Sequence, residues 1–457
     1  MFEWLWLQRS LPPHITGADL WESLYIHEPI TVLLESPVID SKIPSKLARY
    51  SIAAGKPRQV WTPPVGEILP CLENLRSRMQ SNQGANNLPE HLPFTGGYLG
   101  WLGYDLAWEI ERLPYTKPDN LPFPVAFWYE PSSFAVIDHQ TQTVWLAASD
   151  RQELTELSDR LNNLVDKGLK PFVSPSENRQ EASPTYSPQQ QGYESMVNRA
   201  KQHIYDGDIF QANLSLRYGY PWKSDGWQLY RHLQNINPSP FASYWRTEWG
   251  EVISVSPERL VSLHDRHAET RPIAGTRPRG KTEQQDQEFE QELLACTKEQ
   301  AEHIMLVDLE RNDLGRVCEW GTVKVDELLT IERYSHVMHL VSNVVGTLRR
   351  DRSLVDLIRA TFPGGTITGC PKVRCMEIVE GLEPQRRSLF YGSCGYIDQR
   401  GHMDLNILIR TLLKTNDHIW GQVGAGIVAD SVGDREWRES LQKAQAQLAA
   451  MGLLSNK

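Results

Sequence analysis

The chain of 457 residues holds 57 acidic and 47 basic side chains, a formal net charge of −10, with 40% apolar and 23% charged residues. That length allows two or three average domains or one large one, with the composition of a globular protein and ample core. So acidic a chain lacks the basic face that nucleic acid or an anionic membrane surface requires, and no apolar run approaches the length of a bilayer span.

The six cysteines show neither a Cys-x-x-Cys pair nor zinc spacing, which fits reduced thiols in a cytoplasmic protein. The segment Met1–Arg9 has an acid where a secretory signal has cations. In chain order, Ile30–Ser36 reads as a strand and Ala48–Ile52 as a second. A glycine-rich aromatic stretch follows at Gly96–Asp105, and Val125–Ala147 reads as two strands joined by a turn at Asp138. Ser149–Gln152 has the pattern of a capping box opening a helix, with Leu154, Leu157, Leu161 and Leu164 on one face. Lys170–Gln191, rich in Pro, Ser, Gln and Glu without an apolar period, reads as a surface linker. The chain thus divides into an N-terminal region at 1–168, a linker at 169–190 and a second region at 191–457. After the linker, a helix with Met196, Ala200 and Ile204 on its apolar face stops at Gly207. Strands and helices then alternate, so the patterns predict a large mixed α/β structure with the first region packed on the second.

Later segments carry polar residues where chemistry needs them. In Ile209–Tyr218, Phe210, Ala212, Leu214 and Leu216 face one way and Gln211, Asn213, Ser215 and Arg217 the other. That polar face is either half-solvated or lines a cavity. Glu258 follows Pro257 at a strand end; it suits a surface ion pair with Arg259, or a general acid if buried beside an anion. Glu269–Thr282 sets Gly275 and Thr276 between two prolines, with Arg271, Arg277, Arg279 and Lys281 around them. It reads as a solvated basic loop, or as a turn offering charge, hydroxyl and N–H groups to an anion. Glu302 lies on the helix Ala301–Leu309 within i,i+4 reach of Lys298, and Glu436, Glu439 and Lys443 share a face of a C-terminal helix. Two carboxylates on separate helices can also share one Mg2+. His339 stands on a strand face with Val337 and Val341, as a core histidine or a proton relay. Phe362–Lys372, rich in Gly and Thr and including Thr368, can present N–H and hydroxyl groups to an anion but lacks the phosphate-loop pattern. Arg410 reads as a strand residue sharing a face with Asp404, Asn406 and Leu408, suited to clamping a carboxylate. Gly424-Ala-Gly426 would let a carboxylate reach the main chain.

Taken in order, Gln211-Ala-Asn-Leu-Ser215, Ser256-Pro-Glu258, Pro272-Ile-Ala-Gly-Thr276, Ala301–Arg316, Phe362–Lys372, Gly424-Ala-Gly426 and Glu439-Ser-x-x-Lys443 resemble the motifs of the chorismate-utilising enzymes. Leu33-Leu-Glu-Ser36, Arg49-Tyr-Ser51 and Gly97–Asp105 extend the resemblance into the first region. It implies an α+β fold, an antiparallel β-sandwich core with helices packed outside, to which both regions contribute. It also implies an enzyme in which Mg2+ assists attack on chorismate. Glu302 and Glu439 resemble the metal ligands, Glu258 the general acid and His339 the active-site histidine. Arg410 resembles the clamp on the enolpyruvyl carboxylate. Gln211, Gly275, Thr276, Thr368, Gly424, Ala425, Gly426 and Lys443 fall around the substrate, and Ser36, Arg49, Tyr50, Pro240, Phe241 and Ala242 resemble a pocket for L-tryptophan.

Family members that add water have a lysine where this chain has Gln211, so the resemblance points to ammonia as the nucleophile. Asn213, Phe362–Gly369 and Glu383-Pro-Gln-Arg-Arg387 resemble the folate-branch members, which turn chorismate and ammonia into 4-amino-4-deoxychorismate. The alternative is the tryptophan-branch activity, which yields anthranilate and pyruvate. Ala274 stands where some folate-branch members carry a nucleophilic lysine, so a covalent lysine intermediate at that position is excluded. The chain shows no glutamine-amidotransferase Cys/His set, and the resemblance implies ammonia from a separate glutaminase subunit.

Overall fold

The computed structural model describes residues 4–36, 49–80, 88–168, 183–334 and 337–453. Its strands pair antiparallel throughout. Two long strands, Tyr50–Trp61 and Ala126–Asp138, pair with each other and run from one layer into the next. The first layer continues from them through Thr31–Glu35, Phe241–Thr247, Gly250–Ser256, Thr411–Lys414 and His418–Ile427 to Gln211–Pro221. The second runs through Gly97–Leu102, Ser393–Asp398, Met403–Asn406, Arg259–His264 and His267–Thr270 to Val337–Thr347.

Strand alternation sorts the core. Val32, Ile52, Phe134, Trp245, Val252 and Leu413 share one cluster with Leu99, Trp101, Leu263 and Leu405 of the other layer. Their chain neighbours Leu33, Ala53, Ala135, Tyr244, Ile253 and Leu412 face outward, where the helices Gly17–Tyr25, Arg151–Lys167, Gln190–Tyr205, Gly226–Ile236 and Gly433–Ala450 cover them. The result is the sandwich with helices outside. Several of its strand pairs join segments far apart in the chain. Strands of 1–168 pair directly with strands of 191–457, as Thr31–Glu35 with Phe241–Thr247 and Gly97–Leu102 with Ser393–Asp398. No helix among the described residues is long and apolar enough to cross a membrane.

Several local expectations need correction. Asp150, not Ser149, caps the helix Arg151–Lys167, accepting from Glu153 N–H. Thr185–Ser187, inside the expected linker, is a strand on Gln211–Pro221, and the following helix begins at Gln190. Residues 169–182 of that linker, and Ala48, lie outside the described residues. Phe210 precedes its strand and is exposed. Arg410 lies between two strands rather than on one, at φ 51.

On the polar face of Gln211–Pro221, Gln211, Ser215 and Arg217 are buried and Asn213 is partly so, and the face has its own partners. Ser215 donates N–H and hydroxyl to Glu383, each at 2.8 Å. Glu383 is paired with Arg387 at 2.8 Å, the two side chains 4% and 2% exposed, and Arg387 also donates to the carbonyls of Ile367 and Asn213. Removing one partner strands the other charge in a low-dielectric interior. Glu383→Ala is expected to cost about 3–5 kcal/mol, read as a fall in the chemical-denaturation midpoint; an unchanged midpoint would remove this pair as a support of the strand.

Candidate active site

The register of Gln211–Pro221 on His418–Ile427 sets Gly426 opposite Asn213 and Gly424 opposite Ser215. A Cβ on Gly426 would lie 2.3 Å from Gln211 Nε2, and one on Gly424 2.9 Å from both Asn213 Oδ1 and Tyr391 OH. Only glycine leaves these polar atoms room to face the same space. The methyl of Ala425 packs away in the helix-covered core, so only its backbone bears on the site.

Carboxylates reach this space from two helices. Glu302, on the helix Thr297–Gly315, accepts from Gln211 Nε2 at 2.9 Å. Lys443, on the helix Gly433–Ala450, pairs with Glu439 at 2.9 Å and donates to Gly424 O at 3.0 Å. Its own carbonyl accepts from Arg410 at 2.9 Å. Burial pushes Glu302 above the usual carboxylate range; Gln211 and Lys443 pull it back, and Glu439 pushes it further up. Lys298 pairs with Asp430 at 3.2 Å rather than with Glu302. Glu302 and Glu439 offer carboxylate oxygens only, the donor type that a hard divalent cation such as Mg2+ takes.

Glu258 faces the same region from the second layer. The surface pair with Arg259 does not form, since Arg259 is held by Asp404 and Glu269 at 2.9 and 2.6 Å. Burial pushes Glu258 up to about 8, with the nearby Glu310 adding to the shift and the Thr366 hydroxyl opposing it. The acid therefore keeps its proton at neutral pH. Burial, reinforced by Arg410, holds His339 down at about 4, so this imidazole is neutral; its Nδ1 meets Thr276 Oγ1 at 2.9 Å. Gly275 is the bulged residue beside it, at φ 69.

Two sequence expectations fail here. Arg271, Arg277 and Arg279 are not offered to an anion: each is tied to acids of this chain, Glu327 and Glu332, Glu292 and Glu299, and Asp286 respectively. The Thr368 hydroxyl is fully buried and donates to Gly364 and Gly365 carbonyls, shaping its loop; Thr366 stands nearer the acid. Glu310 and Tyr391 were not anticipated. Glu310 lies two turns beyond Glu302 on one helix, a spacing that the helical period could have flagged, whereas nothing in the local pattern marks Tyr391. Gln211 Oε1, Asn213 Oδ1, Tyr391 OH and Glu310 Oε2 are buried without partners. Unpaired buried polar atoms cost about 1–3 kcal/mol each, so their gathering marks a place for a polar ligand.

A separate cavity of about 340 Å³ is lined by all six residues of the expected tryptophan pocket, Ser36, Arg49, Tyr50, Pro240, Phe241 and Ala242. Ser36 donates to Pro240 O, and the buried Glu35 receives Tyr230 and Gln234, each at 2.5 Å. Asn406 on its wall donates to Phe241 O at 3.3 Å, and the next residue, Ile407, donates its N–H to Glu258 O at 3.0 Å.

The family described as chorismate binding enzyme matches residues 35–449, and the chain belongs to that family. An anthranilate synthase component I-like protein of Synechocystis sp. is 59% identical, over 95% of this chain and 90% of its own. The anthranilate synthase component 1 of the same organism is 40% identical, over 86% and 82%. Aminodeoxychorismate synthase component 1 of Bacillus subtilis is 44% identical, over 79% and 78%. The crystal structure of anthranilate synthase component I from Streptococcus pneumoniae superposes with a TM-score of 0.74 at 31% identity, over 90% of this chain and 94% of that one. The chain is a chorismate-utilising synthase of this family.

With Glu258 as the acid, kcat/KM for chorismate should fall as pH rises through about 8 and the carboxyl ionises. Glu258→Gln should lower turnover by about 100-fold or more and remove that basic limb. A basic limb that persists in the variant would assign it to another group.

Proposed function

We propose that this chain is the synthase subunit that converts chorismate and ammonia to 4-amino-4-deoxychorismate and water, with ammonia supplied by a separate glutaminase subunit. The observation that carries the nucleophile is Gln211. Its amide stands at the edge of the polar space, bonded to Glu302, and an amide cannot take a proton from water. Ammonia brings its own lone pair and needs no such base. Its attack on the ring forms the C–N bond as the ring C–O bond breaks, and the departing oxygen takes the proton held by Glu258. Arg410 and the backbone around Gly424 hold the two carboxylates of chorismate. Neutral His339 adds no charge beside them and offers a hydrogen bond. Mg2+ held by Glu302 and Glu439 would neutralise the ring carboxylate. With Ala274 lacking a nucleophile, the amine reaches the ring without a covalent lysine step.

Two observations favour the folate-type product. Asn213, the residue whose motif resembles the folate-type members, has its carboxamide oxygen unpaired and facing the substrate space. The identity pattern supports the same reading: Synechocystis sp. has both an anthranilate synthase component 1 and a distinct component I-like protein, and this chain sides with the latter by 59% to 40%. Ala274 favours the second reading, the anthranilate-forming activity. Incubation with chorismate, Mg2+ and ammonium decides between them. The expected product becomes 4-aminobenzoate only after a lyase is added; fluorescent anthranilate with pyruvate would reverse the assignment.

For the metal, Glu302→Gln and Glu439→Gln should each abolish Mg2+-dependent turnover and weaken Mn2+ binding, with an unchanged circular-dichroism spectrum. Full activity in either variant would remove it as a ligand. We infer further that the cavity beside Glu35 and Ser36 takes L-tryptophan, its acid meeting the amino group and its apolar wall the indole. Calorimetry should show one equivalent bound; no heat at millimolar ligand would leave the cavity without this role.

A further inference from the structure

Away from the chorismate site, two β-hairpins meet side by side. One joins Arg259–His264 to His267–Thr270 through Asp265 and Arg266. The other joins Ser393–Asp398 to Met403–Asn406. Their inner strands pair with Leu263 opposite Met403, which brings His264 and His402 together at the strand ends. The two imidazoles stack, centroids 4.0 Å apart and planes at 27°. Asp265, in the left-handed region at φ 53, turns its carboxylate back onto both rings. Its Oδ1 lies 3.1 Å from His402 Nε2 and its Oδ2 3.5 Å from His264 Nδ1. One ligand atom from each residue falls within 4.8 Å of the others.

With metal–ligand bonds near 2.05 Å, the edge of a tetrahedron is roughly 3.3 Å; each imidazole lies near that distance from one Asp265 oxygen, His402 from Oδ1 and His264 from Oδ2. The 3.1 Å contact is also within hydrogen-bond reach, so the ring and the carboxylate are already turned toward each other. A neutral imidazole has a lone pair to give. His402 is fixed in the wall, with its side chain 10% exposed, while His264 and Asp265 are largely exposed and free to close on an ion.

We propose that His264, Asp265 and His402 form a site for one divalent cation of the zinc type, clamping the two hairpins together. Two imidazoles and one carboxylate favour Zn2+ over Mg2+, so this site and the all-carboxylate site at Glu302 take different ions. The clamp would act on structure: the strand Met403–Asn406 also carries Asp404, which holds Arg259 beside Glu258.

The test is calorimetric titration of the full chain with Zn2+ in excess Mg2+, for the wild type, His264→Ala and Asp265→Asn. Both substituted side chains are exposed, His264 at the strand end and Asp265 in the turn, and asparagine tolerates the left-handed backbone. The wild type should bind one equivalent and gain thermal stability with zinc, whereas each variant should bind about tenfold or more weakly and gain none. Co2+ should give a visible absorption band in the wild type that both variants lack. Zinc binding of equal affinity in all three proteins, or no stoichiometric binding in the wild type, would overturn the proposal. Because the readouts are binding, stability and cobalt absorption, they stand whichever product the enzyme makes from chorismate.

Discussion

One antiparallel register, Gln211–Pro221 against His418–Ile427, positions the rest of the site. A slip of one residue would turn Gln211 and Asn213 toward the helices and bring Ala212 and Leu214 to the cavity. Hydrophobic burial alone does not fix this register, because both faces of the strand are covered. What fixes it is polar: Ser215 reaches Glu383, Arg217 Nε donates to Gln422 at 3.0 Å, and Gln422 Nε2 donates to Ser215 Oγ at 2.7 Å. Each of these bonds is unavailable in the slipped register, and each unpaired group would carry its desolvation cost. The same network holds the loop after Phe362 through Arg387, so the floor and one wall of the cavity are set together.

The site separates its ionisable groups by environment. Glu258 is fully buried near a second acid and keeps its proton at neutral pH. His339 is equally buried but faces Arg410, and stays neutral. Glu302 is less enclosed, with an amide and an ammonium nearby to support its charge. Thus one carboxyl can serve as an acid and another as a ligand at the same pH. The cations Arg410 and Lys443 border this space from separate elements and touch each other through the Lys443 carbonyl. The arginines of Glu269–Thr282 contribute nothing here, being neutralised by their own acids.

Much of this was legible in the sequence, and the failures have physical causes. Alternation placed Gln211 and Asn213 on one face correctly, since successive side chains of a strand point to opposite sides. It could not show that the other face is buried, because Glu383 and Arg387, which pair with it, are more than 160 residues away. The cluster of cations at Arg271–Lys281 invited an anion because the sequence does not show that Arg271 folds onto Glu327 and Glu332, nor that Arg277 and Arg279 turn to the acids of the following helices. Arg410 was assigned to a strand because periodicity carries no information about a single left-handed residue. The sandwich followed from the resemblance, whereas local patterns gave only a large mixed α/β structure: strand partners are chosen across the whole chain, and helix–strand alternation does not specify them.

The most direct test of the account is a crystal soaked with Mn2+ and chorismate, examined for anomalous scattering. The account predicts a peak between the carboxylates of Glu302 and Glu439, with metal–oxygen distances of about 2.0–2.3 Å, and the substrate's ring carboxylate completing the shell beside Gly424. A peak bound elsewhere, with Glu302 and Glu439 turned away from the bound substrate, would contradict it.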